Sequence, residues 1–251
     1  MKAVEQRILI TGMSGLIGGL LRNRLQESGK YRLRALNRKT VDGVESFQAN
    51  IGDLEAIKPA FTGQDTVVHL AAQLQDDPWI GILQTNIIGT YNVFESARVA
   101  GVRRVIFAST GSTVRGYENL EPYSSLVQGH YDRLTEPWQM ITENMVWPAG
   151  TYGASKLWGE ALARHYSDTY GMSVLCVRIG VVTANNQTQT ARENSCWLSH
   201  ADVVQILVRC IEAEPALKYD VFLATSSNRW GYRDISHAKR ILGFVPEDGA
   251  S

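Results

Sequence analysis

The sequence contains no long hydrophobic run, few cysteines and no histidine pattern typical of metal sites. Its three cysteines, Cys176, Cys196 and Cys210, are odd in number and widely spaced, which disfavours a disulfide framework and indicates a reducing compartment. The five histidines lack ligand spacing such as HExxH, so we predict no metal site. Because we find no signal peptide or membrane-spanning run, we expect a soluble cytoplasmic protein that does not bind membranes.

The charges are balanced, with 25 lysines and arginines against 25 aspartates and glutamates. A protein that binds nucleic acid mainly through phosphates needs a basic excess, so we predict no nucleic-acid partner. At 251 residues the chain is long enough for one domain with a full core, and too short for two ordinary ones. We therefore treat residues 1–251 as a single domain.

Short apolar segments alternate along the chain with segments whose apolar residues recur at helical spacing. The predicted strands are residues 7–11, 31–36, 66–71, 104–108 and 174–179. The predicted helices are residues 16–28, 54–61, 86–100, 155–170 and 201–213. Nearly continuous apolar strands separated by helices indicate a parallel sheet covered on both faces. The predicted fold is α/β, a doubly wound parallel sheet (Rossmann fold) that binds ligands beyond the carboxyl ends of its strands.

The first predicted strand leads into a glycine-rich turn, TGMSGLIG, that opens the first predicted helix. Gly12 permits a tight turn, Gly15 lets the backbone approach a pyrophosphate, and Gly18 allows close packing of helix on strand. Glycines can also serve such a turn for conformation alone, but the strand–loop–helix context favours dinucleotide binding. The other loop residues that we assign to the cofactor site are Met13, Ser14, Leu16 and Ile17.

The end of the second predicted strand, where an adenosine ribose is expected, carries Asn37, Arg38 and Lys39. A carboxylate there would favour NAD, whereas two cations could pair with a 2′-phosphate, so we favour NADP over NAD. Solvated loop charges are the alternative interpretation. Asp53 could hydrogen-bond the adenine edge. The other residues that we assign to the cofactor site are Leu54, Leu70, Ala71, Ala72, Asn86, Lys156 and Ile179.

The stretch TYGASKLWGE places Tyr152 and Lys156 four residues apart, so both would project from one helix face. A free phenol has a pKa near ~10 and is a poor base at neutral pH. A neighbouring ammonium and an oxidised nicotinamide would both stabilise the phenolate and lower that pKa. Lys156 could also hydrogen-bond the cofactor ribose. Hydroxyls to position the substrate oxygen follow the strand at 104–108, namely Ser109, Thr110, Ser112 and Thr113.

Five motifs along the chain fit one family together: TGMSGLIG, HLAA, NIIGTYNVFESAR, FAST and YGASK. They resemble the extended short-chain dehydrogenase/reductase superfamily and, within it, the NAD-dependent epimerase/dehydratase family. The resemblance runs from about Ile8 to about Val245 and is nearest to uronate dehydrogenases and related sugar dehydrogenases. It implies an NAD(P)-dependent oxidoreductase that transfers a hydride between nicotinamide and a sugar or sugar-acid hydroxyl or carbonyl.

The resemblance also implies roles for single residues. Tyr152 would be the base, Lys156 its electrostatic partner, and Thr110 would stand in for the usual catalytic serine. Asn86 matches a helix asparagine of the superfamily, and a helix N-cap is its alternative role.

Two departures concern the substrate end of the site. The family's Asn-His pair after the catalytic hydroxyl is replaced by Gly111 and Ser112, so Ser112 could contact the substrate or substitute for Thr110. Arg192 stands where uronate dehydrogenases hold the sugar carboxylate, and a bidentate clamp there is chemically apt. An exposed loop arginine is the alternative interpretation.

Residues 114–150 form a long aromatic segment before the tyrosine, which we predict to be a substrate-side insertion loop. Its aromatic rings could stack on sugar faces, pack as a local plug or form a dimer contact. We predict a small substrate-binding portion at residues 180–251 and a homodimeric protein.

Three other functions are alternatives to a dehydrogenase. A nucleotide-sugar epimerase with bound NAD usually carries a longer C-terminal lobe than the roughly seventy residues after VRIG here. A dehydratase needs an Asp-Glu pair after the catalytic hydroxyl, and TGST supplies no carboxylate. A non-enzymatic NAD(P)-binding sensor commonly loses the tyrosine–lysine pair, which is intact here.

Overall fold

The computed structural model describes residues 5–251, and within that range seven parallel strands form one sheet in the order β3-β2-β1-β4-β5-β6-β7. The strands are β1 (Gln6–Thr11), β2 (Tyr31–Asn37), β3 (Glu45–Gln48), β4 (Thr66–His69), β5 (Arg104–Thr110), β6 (Ser173–Ile179) and β7 (Tyr219–Ala224). The principal helices are α1 (Leu16–Ser28), α2 (Leu54–Phe61), α3 (Trp79–Gly81), α4 (Thr90–Val99), α5 (Tyr123–Gln128), α6 (Gly150–Tyr170), α7 (Ala191–Cys196), α8 (His200–Glu212) and α9 (Ser236–Leu242). The predicted doubly wound Rossmann fold is confirmed.

The strand order reverses at β1, which places a crevice at the carboxyl end of the sheet. Thr11 at the end of β1 is in register with Leu36 of β2 on one side and His69 of β4 on the other. The chain leaves β1 and β4 in opposite directions across the sheet, so their carboxyl ends border an open crevice, the usual ligand site of such folds.

Both faces of the sheet are apolar because neighbouring residues of one strand face opposite helix layers. Ile8 and Ile10 of β1 join the core beneath α1, α8 and α9, whereas Leu9 between them joins the core beneath α2, α4 and α6. This double burial explains why the strands appear in the sequence as continuous apolar runs.

Two strands, β3 and β7, were not predicted from the sequence. β3 is a four-residue edge strand, ESFQ, and none of its residues is fully buried. β7 begins with the half-buried residues Tyr219 and Asp220. β3 lacks the continuous apolar character that identified the other strands, and β7 shows it only in its last four residues. β7 lies within residues 180–251, so that portion also contributes to the central sheet.

The helix predicted at residues 86–100 begins earlier, at Trp79, and contains a π-helical stretch (Ile82–Gly89) before α4. Asn86 therefore lies inside a helical segment, and the N-cap alternative is wrong for it. Its buried amide bonds both the N–H and the C=O of Gln73 (2.8 and 2.9 Å) and the hydroxyl of Ser155 (3.0 Å). Asn86 thus ties the loop after β4 to α6.

The aromatic segment 114–150 is an ordered cap with short helical turns, at Arg115–Asn119, α5 and Tyr131–Arg133. Its buried residues, including Val114, Leu126 and Ile141, form a third core with Tyr232. Tyr131 stacks on Trp230 with ring centroids 3.8 Å apart and planes 3° from parallel. Across residues 5–251, the helices are all too short or too polar to cross a bilayer.

Candidate active site

The loop after β1 is shaped by two glycines whose side-chain positions are filled by backbone. Gly12 adopts a left-handed φ of 72°, and a Cβ there would lie 2.8 Å from the backbone nitrogen of Ala71. A Cβ on Gly18 would lie 2.5 Å from the carbonyl oxygen of Gly12. The strand, the loop and the start of α1 can approach so closely only with glycine at these two positions.

Helix α1 begins without a capping side chain. Gly15 is its N-cap residue and offers no side-chain acceptor, and the first turn carries no acidic residue. The first N–H groups of a helix lack partners within the helix and carry its positive dipole end. This helix start therefore suits a phosphate anion.

A cavity of about 990 Å³ extends from this loop across the crevice to α6. The residues predicted for the site that line it are Gly12, Ser14, Gly15, Leu16, Ile17, Asn37, Arg38, Leu70, Ala71, Ala72, Thr110, Tyr152, Lys156 and Ile179. The structure thus brings the glycine loop, the end of β2 and the tyrosine–lysine pair onto one continuous surface.

The end of β2 presents an unpartnered donor to this cavity. Asn37 is 6% exposed, and its Nδ2 atom has no hydrogen-bond partner among the described residues 5–251. Arg38 and Lys39 follow it as exposed cavity-lining cations. A buried donor without a partner is costly, so a ligand oxygen at Asn37 would remove that cost.

Thr110 and Tyr152 lie together at the other end of the cavity. Thr110 ends β5, and Tyr152 lies in the first turn of α6. Burial raises the pKa of Tyr152, and a hydrogen bond with the Thr110 hydroxyl offsets part of that rise. The phenol is therefore neutral at neutral pH, and additional positive charge is needed before it can act as a base.

Asp76, in the loop after β4, fixes the start of α6. Its carboxylate accepts hydrogen bonds from Thr151 Oγ1 (2.8 Å) and from the backbone N–H of Tyr152. Ala149, the N-cap residue, has no side-chain acceptor of its own. A residue seventy-six positions away in sequence therefore supplies the cap, which sequence reasoning missed.

Lys156 is buried one turn further along α6. Its Nζ donates to the carbonyl of Ala108 (2.8 Å) and lies 5.8 Å from the ring centroid of Tyr152. Burial lowers the pKa of Lys156 to about 7, and the negative charge of Glu160 partly opposes this. Burial, with the positive charge of Lys156, also lowers the pKa of His69 to about 3, so His69 is neutral.

Four residues assigned to the cofactor from sequence do not line the cavity. Asp53 is exposed and caps α2 by accepting from the backbone N–H of Ala56 (3.1 Å). Leu54 is the first residue of α2. Met13 is fully buried in the core, and Asn86 acts through the contacts described above.

The two residues assigned to the substrate also lie outside the cavity lining. Ser112 is half-buried in the turn after β5, and its N–H donates to Thr110 Oγ1 (3.2 Å). Arg192 donates from Nε and Nη2 to Glu118 at 2.7 and 2.9 Å, so its guanidinium fork is already paired. Tyr232 donates to the same carboxylate at 2.6 Å.

Several cavity-lining residues were missed because the strands before them were missed or ended elsewhere. Asn50 and Ile51 follow β3, at the carboxyl edge where ligands bind. Asn50 and Ile51 line the cavity, whereas Asp53 does not. The others that sequence reasoning did not assign include Gln73, Leu74, Thr85, Gly180 and Val182.

This arrangement defines a class of protein, one that binds a dinucleotide on a Rossmann fold. The model of the NAD dependent epimerase/dehydratase family matches residues 8–201, and the chain belongs to that family.

Several curated relatives match nearly the whole chain. It is 30% identical over 259 residues to the NAD-dependent glucose-6-phosphate dehydrogenase of Haloferax volcanii, covering 99% of this chain and 95% of the relative. It is 34% identical over 248 residues to the uronate dehydrogenase of Agrobacterium fabrum, covering 98% and 86%. A solved structure of a mutant uronate dehydrogenase from Agrobacterium tumefaciens, complexed with NAD, has a TM-score of 0.80 at 31% identity, covering 98% and 86%.

Proposed function

We propose that the protein is an NAD(P)-dependent dehydrogenase or reductase that acts on a hydroxyl or carbonyl of a sugar or sugar acid. The observation that carries this proposal is the position of Thr110, Tyr152 and Lys156 at one end of a cavity whose other end is the glycine loop. The named activities of its full-length relatives support the same reaction class.

The cavity fits a nicotinamide dinucleotide. The uncapped start of α1 would hold the pyrophosphate, and the unpartnered Nδ2 of Asn37 would donate to the adenosine ribose. Lys156 would hold the other ribose. The bound dinucleotide would supply the acceptor or donor of the hydride.

Tyr152 would transfer the proton. Thr110 would orient the substrate oxygen, and the phenolate of Tyr152 would take its proton as the carbon–hydrogen bond breaks. Lys156 would stabilise that phenolate, because a nearby positive charge lowers the pKa of a phenol. In the reverse direction the phenol would return the proton.

For the cofactor we infer a preference for NADP over NAD. The end of β2 offers Arg38 and Lys39 at the cavity and no carboxylate that would repel a 2′-phosphate. Calorimetric titration with the two cofactors tests this preference, and tighter binding of NAD would contradict it.

For the substrate end we propose Ser112 as a sugar contact and Arg192 as the contact for an acidic group. Glu118 holds Arg192 in the structure, so a substrate carboxylate or phosphate would have to displace Glu118 from the guanidinium. The cap at 114–150 and residues 180–251 would together enclose the sugar.

We also infer a homodimer in the cytoplasm. Tyr91 and Val99 on α4 and Tyr170 on α6 expose 44%, 60% and 47% of their surface, which suits a subunit contact. The three cysteines are buried free thiols, as expected in a reducing compartment. Light scattering should give twice the mass of one chain.

A substrate screen tests the reaction itself. Sugars, sugar acids and sugar phosphates are offered with each oxidised cofactor, and the absorbance of reduced nicotinamide is followed. We expect turnover that Tyr152→Phe abolishes while cofactor binding is retained. Full activity of that variant would remove the phenol from the mechanism.

A further inference from the structure

The end of β5 is hydrogen-bonded to α6 at two successive residues. The carbonyl of Ala108 accepts from Lys156, and the hydroxyl of Ser109 donates to Glu160 Oε1. The next residue, Thr110, ends the strand and lowers the pKa of Tyr152. This ladder fixes the catalytic helix against the strand that carries the substrate-orienting hydroxyl.

Arg178 on β6 completes the ladder from the neighbouring strand, where it is in register with Ser109. Its Nε and Nη2 donate to the two oxygens of Glu160 at 2.9 and 2.8 Å. Its Nη1 donates to the carbonyls of Glu143 and Met145, both at 3.0 Å. The ion pair therefore connects the catalytic helix to the cap at 114–150.

The three charged side chains of this cluster are all buried. Lys156, Glu160 and Arg178 are 2%, 5% and 2% exposed. Burying an ion pair carries a large desolvation cost, so a buried pair is weak evidence for stability by itself. This buried pair lies one helical turn from Lys156, because Glu160 and Lys156 are four residues apart on α6.

We propose that Glu160 and Arg178 are positioning residues for the reaction, with the Glu160 carboxylate holding Lys156 in its charged form beside Tyr152. This inference rests on the proposed roles of Tyr152 and Lys156. Residues four apart on a helix are neighbours, so removing the negative charge of Glu160 lets the lysine lose its proton at lower pH.

Among the ionisable groups around Lys156, the Glu160 carboxylate supplies the negative charge that favours the protonated lysine. The direction agrees with the pKa of Lys156, which burial lowers and Glu160 raises. The other ionisable groups that face this cluster are His69 from β4, Tyr152 from α6, Cys176 from β6, Tyr219 from β7 and, at the start of α6, Asp76. Burial favours the neutral form of the first four, and Asp76 contacts the backbone N–H of Tyr152 rather than the ammonium.

The direct test follows the Nζ signal of Lys156 by nitrogen NMR against pH, with Lys156→Met identifying the signal. Glu160→Gln should lower the titration midpoint by about one pH unit. The control is Asp168→Asn, which removes a carboxylate from an exposed ion pair on the same helix and should leave the midpoint unchanged. An unchanged midpoint in folded Glu160→Gln would overturn the inference.

A double variant covers the case in which Glu160→Gln alone fails to fold because Arg178 is left unpaired. Glu160→Gln with Arg178→Gln removes both charges, and the nearer Glu160 should dominate, so the midpoint should still fall, by less. A midpoint at the wild-type value in this variant would equally overturn the inference.

Steady-state kinetics provide a second measurement on the same variants. The pH dependence of kcat/KM should move to lower pH in Glu160→Gln, in parallel with the lysine titration and with little change in sugar KM. If the protein turned over no sugar, the proposed function would fail, while the NMR titration would still decide the role of Glu160.

Discussion

Breaking the ion pair between Arg192 and Glu118 tests whether this pair stabilises the folded protein. Arg192→Ala removes two hydrogen bonds, of 2.7 and 2.9 Å, from a carboxylate whose side chain is 9% exposed. Breaking a fully buried pair costs about 3–5 kcal/mol. The Arg192 side chain is 28% exposed, and Tyr232 still donates to Glu118. We therefore expect the free energy of unfolding to fall by about 2 kcal/mol.

Urea denaturation at neutral pH measures that loss. The matched control is Arg164→Ala, which breaks an ion pair whose partners are 59% and 55% exposed and should lower the free energy of unfolding far less. Wild-type stability of Arg192→Ala, together with a raised KM for sugar acids only, would refute the structural role and leave Arg192 as a substrate contact.

The same pair predicts an acid dependence of stability. Burial alone would raise the pKa of Glu118, but the hydrogen bonds and charge of Arg192 hold it below its usual range. A lowered folded-state pKa stabilises above the unfolded value of about 4.3 and loses that contribution as pH falls through the folded value. The difference between wild type and Arg192→Ala should therefore shrink as pH falls below about 4.

Three further changes test the cofactor site and the catalytic pair. Gly12→Ala forces a left-handed φ on alanine and places its Cβ 2.8 Å from a backbone atom, so cofactor affinity should fall at least about tenfold. The control is Gly19→Ala, which has open space around its Cβ and should not change cofactor affinity. Arg38→Ala with Lys39→Ala should weaken NADP binding far more than NAD binding in calorimetry; equal losses would contradict the 2′-phosphate role. Tyr152→Phe should retain cofactor affinity and lose turnover.

Local patterns in the sequence identified most of the fold. Strands buried on both faces appear as apolar runs, and the apolar residues of α1 and α2 recur at helical spacing. The edge strand β3 has neither signal. Without β3, the sequence analysis did not assign Asn50 and Ile51, which follow this strand and line the cavity.

Contacts between distant residues could not be found in this way. Glu118 and Arg192 are 74 positions apart, and Asp76 and Tyr152 are 76 apart. In the sequence, Glu118, Arg192 and Asp76 each resemble an ordinary surface charge. Pairing depends on how the cap at 114–150 and the loop after β4 pack, which no local periodicity encodes.

Direct hydride transfer is the central claim, and an isotopic label tests it. A sugar substrate identified in the screen is deuterated at the carbon to be oxidised, and the reduced cofactor is isolated and examined by proton NMR. We predict that deuterium appears at carbon 4 of the nicotinamide ring, and that Tyr152→Phe yields none. Deuterium retained in a sugar of altered configuration, with no net cofactor reduction, would contradict the account and identify an epimerase.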